Sequence, residues 1–223
     1  MGSDNASPYG SVIYDEHIVH VLPFYREFHE QIMDLVRVMK PGAADWLDTG
    51  CGTGTLAARV LEQRDDVRFT LADPSEKMLN EAKRKLEGRG VRFELLASHE
   101  LPLTSEFDVV TAVQSHHYYR PEEREEAVRR CCRALRDGGV FITFENVRMS
   151  SEGSDAAAMK RWMDFLRGQG NPEEEIRLQT DRRGVETHPI TAEEHLELLR
   201  RCGFRSADIL WASYLQAGFW AVR

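Results

Sequence analysis

The chain has no apolar run approaching the roughly 20 residues that cross a bilayer, so no membrane-spanning segment is expected. Cysteine is scarce. Cys51, Cys131, Cys132 and Cys202 form no CxxC pair and have no histidine at ligand spacing. That argues against a disulfide scaffold and a zinc site, and fits reduced thiols in a cytoplasmic protein with no metal. A basic excess is also missing. With 29 Lys+Arg against 37 Asp+Glu, the net charge of -8 speaks against broad nucleic-acid binding. The opening "MGSDNASPYGS" lacks the basic region and apolar core of a signal peptide. There is no internal repeat and no low-complexity tract.

What is present is the composition of a soluble globular protein, 42% hydrophobic and 30% charged over 223 residues. That length suits one domain, or one domain with an insertion. Phe28, Ile32, Leu35, Val36 and Met39 recur at helical spacing until Pro41-Gly42. "ADWLD" then reads as a strand, and Leu56, Ala57, Val60 and Leu61 as one face of a helix. Strands are expected at 67–73, 91–97, 107–114 and 140–146. Between them come a helix with Met78, Leu79, Ala82 and Leu86, and one from Pro121 that stops at Gly138-Gly139. Alternation of this kind predicts a doubly wound α/β sheet. From Ser150 to Pro189 the rhythm breaks into a helical insertion containing Met159, Trp162, Met163 and Leu166, with a second helix start at Asn171-Pro172. Thr191 and Glu194 form a capping box for the next helix. The last 17 residues read as two strands too close together for a crossover, hence antiparallel.

"WLDTGCGTG" carries the densest chemical signal, with Gly50, Gly52 and Gly54 directly after the first strand. Ligands of such sheets bind beyond the carboxyl ends of the strands, where this loop falls. A dinucleotide fingerprint would place its third glycine where Thr55 stands, which argues against NAD and FAD. The next strand ends in Asp73, at a suitable distance to reach a ribose. Asp48 and Asp73 thus flank a site with few cations, which suits a ligand with hydroxyls and an ammonium better than a pyrophosphate.

In "LDTGCGTG", "LADPSEKML", "ELLASHELPL", "FDVVTAVQSHHYY" and "ALRDGGVFITFEN" the chain resembles the class I S-adenosylmethionine-dependent methyltransferases. The resemblance implies a Rossmann-like seven-stranded sheet with a reversed last strand, and S-adenosylmethionine across the glycine loop. It puts Asp48, Gly50 and Gly52 near the methionine moiety, with Gly54 completing the loop. Asp73 would accept from the ribose, while Pro74 and Met78 pack near the adenine. Ser98 and His99 would meet the adenine edge, with Ser98 or the backbone replacing an aspartate many relatives carry. Gln114 would lie beneath the methionine part.

The fourth strand ends in "QSHHYY", where the family often places substrate-facing groups. His116 or His117 could take a proton from an acceptor that must lose one. Only one of two neighbours in extended backbone would face it. Glu145, Arg148 and Tyr118 are placed at the same mouth, and Tyr14, His17 and Tyr25 in an N-terminal segment that would close over the cofactor. A narrower resemblance links "YDEHIVHVLPFYREFHEQIMDLV" and "LWASYLQAGFWAVR" to the carboxy-S-adenosylmethionine synthases of wobble-uridine modification. Those enzymes hold an extra carboxylate with a late arginine, and the gapless alignment to "CGF" puts Leu198 there.

The expected organisation is a lid segment over 1–40, an S-adenosylmethionine-binding domain over 41–149 and 190–223, and an insertion over 150–189. The expected function is methyl transfer to a small molecule, with no membrane partner and a homodimer left open. The alternatives are a carboxy-S-adenosylmethionine synthase, a tRNA-modifying methyltransferase, or a non-catalytic S-adenosylmethionine-binding protein.

Overall fold

A computed structural model describes residues 10–11, 13–102 and 104–223; the reading of the first residues as lacking a signal peptide lies largely outside these. Seven strands form one sheet: β1 (Ala44–Thr49), β2 (Val67–Ala72), β3 (Arg92–Glu94), β4 (Phe107–Val113), β5 (Leu135–Asn146), β6 (Ser206–Ser213) and β7 (Gln216–Val222). Their spatial order is β3-β2-β1-β4-β5-β7-β6. Strands β1 to β5 pair in parallel, and β7 runs antiparallel to both β5 and β6.

Alternate strand residues feed two cores, which explains why both faces are apolar. Trp46, Val109 and Ile142 enter one core, and their neighbours Leu47, Val110 and Phe141 enter the other. The first core is covered by α1 (Tyr14–Val21), α2 (Tyr25–Met39), α3 (Thr55–Leu61), part of α4 (Glu76–Lys85), α6 (Glu152–Gly168) and α7 (Glu173–Asp181). The second core is covered by α5 (Pro121–Ala134) and α8 (Ala192–Arg201). The expected capping box forms at α8: Thr191 Oγ1 accepts from Glu194 N at 3.1 Å, and Glu194 Oε2 accepts from Thr191 N at 2.7 Å.

Two boundaries differ from the sequence expectation. β3 covers only Arg92–Glu94, because this edge strand pairs with β2 through three residues before the chain turns toward 98–100. β5 starts at Leu135, with Gly138-Gly139 inside it, because Leu135 already pairs with Phe107 ahead of a register shift. The glycines that look like a helix stop mark an irregular strand.

Sheet order reverses between β1 and β4, which opens a crevice at their carboxyl ends. The insertion is tied down beside it. Trp162 Nε1 donates to the Val21 carbonyl at 2.9 Å, and Arg183 donates to Asn146 Oδ1 at 2.6 Å and to Asp155 Oδ1 at 2.9 Å. Among the described residues no helix is long and apolar enough to cross a membrane.

Candidate active site

The three loop glycines all have positive φ: +65° at Gly50, +55° at Gly52 and +73° at Gly54. Their surroundings differ. A Cβ on Gly50 would fall 2.4 Å from Ser115 Cβ, while one on Gly52 would meet nothing within 4 Å. Gly50 therefore lets the β1 and β4 loops touch, and Gly52 faces open space. Asp73 shapes that space. Its Oδ2 accepts from Gly52 N and its Oδ1 from Ser75 N, both at 2.9 Å, so each oxygen keeps a lone pair for a further donor. Burial raises the Asp73 carboxyl, opposed by those two N–H groups. Asp48 is buried, accepts from Thr111 Oγ1 at 2.7 Å, and is pushed up to about 7 by burial despite that hydroxyl, with Asp73 adding to the rise.

These residues fit S-adenosylmethionine. Asp73 has acceptor capacity for a ribose, and Gly52 leaves room for close approach of a ligand. Ser115 Oγ, beside Gly50, and His99 Nδ1 are buried with no partner in the described residues, so each keeps polar capacity. Met78 is buried and Pro74 exposed. Ser98 is not available to an adenine amine through its side chain, since its hydroxyl is buried against Thr49 Oγ1 at 2.8 Å. Its backbone N–H donates to Tyr119 Oη at 3.2 Å. Replacing Asp73 with alanine is expected to weaken S-adenosylhomocysteine binding by about 1–3 kcal/mol, the cost of losing a charged hydrogen-bond acceptor. Calorimetry on the folded variant checks this, and unchanged affinity contradicts the ribose assignment.

The two histidines part company. His117 lines a small cavity together with Tyr14, Gln114, Tyr118, Trp162 and Arg182. His116 is buried, packed on the rings of Tyr119 and Phe141, with both ring nitrogens unpartnered. Glu145 holds the His117 end of the turn. Its Oε2 accepts from His117 N at 2.9 Å and lies 2.8 Å from His117 Nδ1, while its Oε1 accepts from Thr143 Oγ1 at 2.6 Å. Burial alone would raise this carboxyl, but the His117 bond and the neighbouring histidines hold it below its usual range. An ionised Glu145 only accepts, so Nδ1 carries the proton and Nε2 is left as the basic nitrogen. Gln114, at φ +54°, donates from Nε2 to Gln216 Oε1 at 2.8 Å.

Three other sequence candidates stand elsewhere. Arg148 is spent in a pair with Glu194, at 2.6 and 2.8 Å, and does not line the cavity. His17 bonds back to the Ile13 carbonyl through Nδ1 at 3.2 Å. Tyr25 packs on Phe28 and His29, whereas Tyr14 reaches the cavity. Leu198 lies in the second core among Leu199, Phe204 and Phe219, so its identity says nothing about carboxylate binding. The arginines at the cavity are Arg182 and Arg183.

Sequence reasoning also missed Asp15. Its Oδ1 accepts from Thr53 at 2.6 Å and from Thr55 at 2.9 Å, and its Oδ2 meets Lys85 Nζ at 2.6 Å. This carboxylate fastens α1 to the glycine loop. The only local signal was an acid in the first turn of a helix, which has an ordinary explanation in the helix dipole.

Three buried histidines make stability pH-dependent. Burial lowers His29 to about 3 and His116 and His195 to about 4. Their unfolded value is 6.5, so between pH 6.5 and 4 the unfolded chain binds up to three more protons. Asp48, raised from 3.8 to about 7, works the other way in that window, and Asp73 opposes in the same direction. The balance is one to two protons taken up on unfolding, so stability falls as pH drops through this window. The slope is about 1–3 kcal/mol per pH unit. Urea unfolding at pH 7 and pH 5 checks it, and higher stability at pH 5 contradicts it.

With this geometry in place, the class of protein follows. The chain has the class I methyltransferase fold, and residues 47–139 match the methyltransferase domain family. It is an S-adenosylmethionine-dependent, methyltransferase-like enzyme with S-adenosylmethionine as its cofactor. Among curated proteins it is similar to the carboxy-S-adenosyl-L-methionine synthase of Campylobacter lari, 27% identical over 91% of this chain and 88% of that protein. The synthase of Nautilia profundicola is 22% identical over 89% of this chain and 86% of that protein. Among solved structures it is similar to a possible histamine N-methyltransferase from Thermotoga maritima. The TM-score there is 0.60 at 18% identity, over 95% of this chain and 96% of that one. The [4+2]-cyclase SpnF shares the fold at a TM-score of 0.58 and 24% identity, covering 81% of this chain and 59% of that chain. Fold alone therefore does not set the reaction.

Proposed function

We propose that the protein transfers a methyl group from S-adenosylmethionine to a small molecule seated in the cavity beside His117. The observation that carries this reading is the buried His117–Glu145 pair at the wall of the cavity. When bound, S-adenosylmethionine supplies a methyl group on sulfonium sulfur, open to in-line displacement by the acceptor's lone pair. His117 Nε2 takes the proton the acceptor releases, and Glu145 stabilises the imidazolium that forms. Tyr14 and Tyr118 wall the cavity and help exclude water. The cavity measures about 60 Å³, room for about two waters, so its walls must part to admit an acceptor. Its enclosure by α1, the turn after β4, α6 and α7 favours a compact acceptor over a nucleic acid. The net charge of -8 points the same way.

A second reading, synthesis of carboxy-S-adenosylmethionine, is favoured by the names of the curated relatives and by Arg182 and Arg183 at the cavity wall. Arg182 is paired with Glu186 and Arg183 with Asp155. Incubation with S-adenosylmethionine, alone, with prephenate, and with a panel of small acceptors, separates the two by mass. Methyl transfer yields S-adenosylhomocysteine only when an acceptor is present. A product heavier than S-adenosylmethionine by one carboxylate, formed with prephenate, overturns the methyl-transfer reading.

A further inference from the structure

The start of α5, "PEEREEAVRR", has the composition of a solvated helix face, yet Arg124 is only 2% exposed. Among the described residues its guanidinium meets backbone carbonyls and no carboxylate. Nε donates to the His116 carbonyl at 3.0 Å, and Nη2 donates to the Tyr119 carbonyl at 3.2 Å and to that of His188. A longer contact, 3.5 Å, reaches the His117 carbonyl. That same carbonyl accepts from His188 N at 2.7 Å. A buried cation is costly unless its donors are satisfied. Here Nε and Nη2 are satisfied by two chain segments, the 116–119 turn and the residue His188. Burial lowers Arg124 from its usual value, against the opposing pull of Glu145 and Glu194.

We infer that Arg124 is a positioning residue for this site: its planar fork clamps the 116–119 turn against His188 and so fixes His117 between Glu145 and the acceptor cavity. The base role of His117 rests on the proposed function, whereas the clamp does not. Arg124 does not line the cavity and bonds only backbone carbonyls, so it acts through the backbone of the turn. Lysine keeps the charge but offers a point donor that cannot span three carbonyls on two segments.

The test uses protein labelled with nitrogen-15 in histidine, as parent and as Arg124→Lys and Arg124→Met. In the parent, the Nδ1 proton of His117, held by Glu145, gives a slowly exchanging downfield signal, identified by its loss in Glu145→Gln. Both Arg124 variants are expected to bind S-adenosylhomocysteine at parent affinity by calorimetry while this signal broadens or disappears. With an acceptor in hand, kcat should fall roughly 10–100-fold, as a small misplacement of a reacting group does, with the acceptor KM little changed. A variant that binds S-adenosylhomocysteine normally and keeps both signal and kcat overturns the inference. So does loss of S-adenosylhomocysteine binding together with the signal in both variants, because that marks a general structural role. If no acceptor is ever methylated, the proposed reaction fails, while the imidazole signal still decides the clamp.

Discussion

His117→Ala is expected to slow the chemical step by roughly 10²–10⁴-fold, the usual contribution of a positioned general base. The turn after β4 brings this imidazole to the cavity, and ionised Glu145 fixes the proton on Nδ1. S-adenosylhomocysteine affinity should change little, since Asp73 and the glycine loop lie on the other side of the crevice. His116→Ala is the matched control. Its ring packs between Tyr119 and Phe141 away from the cavity, so the substitution should alter stability and leave the chemical step near the parent rate. Single-turnover rates at several pH values read both variants. Equal rates for His117→Ala and the parent would leave alignment of the acceptor as the whole of catalysis.

Gly50→Ala should destabilise the fold by about 2–5 kcal/mol, combining a left-handed backbone with overpacking. The new methyl would sit 2.4 Å from Ser115 Cβ and 2.8 Å from Ser115 Oγ, at φ +65°. Adding Ser115→Gly should recover the overlap and leave the backbone strain. Gly52→Ala differs in kind. At φ +55° with open space around it, the methyl should cost less stability and more S-adenosylhomocysteine affinity, because it enters the ligand's space. Urea unfolding and calorimetry on the set separate the two glycines. Equal stability of Gly50→Ala and the parent would contradict the close contact between the β1 and β4 loops.

Much of this architecture was legible because local pattern and tertiary demand agree. In β1, β4 and β5 both alternating faces are apolar, since each face meets its own core. The glycine loop and Asp73 were read as one unit for the same reason, and the structure joins them through the Gly52 N–H on Asp73 Oδ2. What stayed hidden depends on distant partners. Arg124 sits among charges in sequence, and only the turn after β4 and His188 explain its burial. Asp15 finds Thr53 and Lys85 across the fold, which no periodicity encodes. Leu198 looked informative because alignment carries no depth; packing places it in the second core. The ends of β3 and β5 were misplaced because edge pairing and an irregular register, not propensity, set them.

Calorimetric titration of the purified protein with S-adenosylhomocysteine and, separately, with NAD tests the central claim most directly. Heat with S-adenosylhomocysteine that weakens in Asp73→Ala, and none with NAD, is the result expected from a crevice built by Gly52 and Asp73. Binding of NAD with no response to either S-adenosylmethionine or S-adenosylhomocysteine would contradict it.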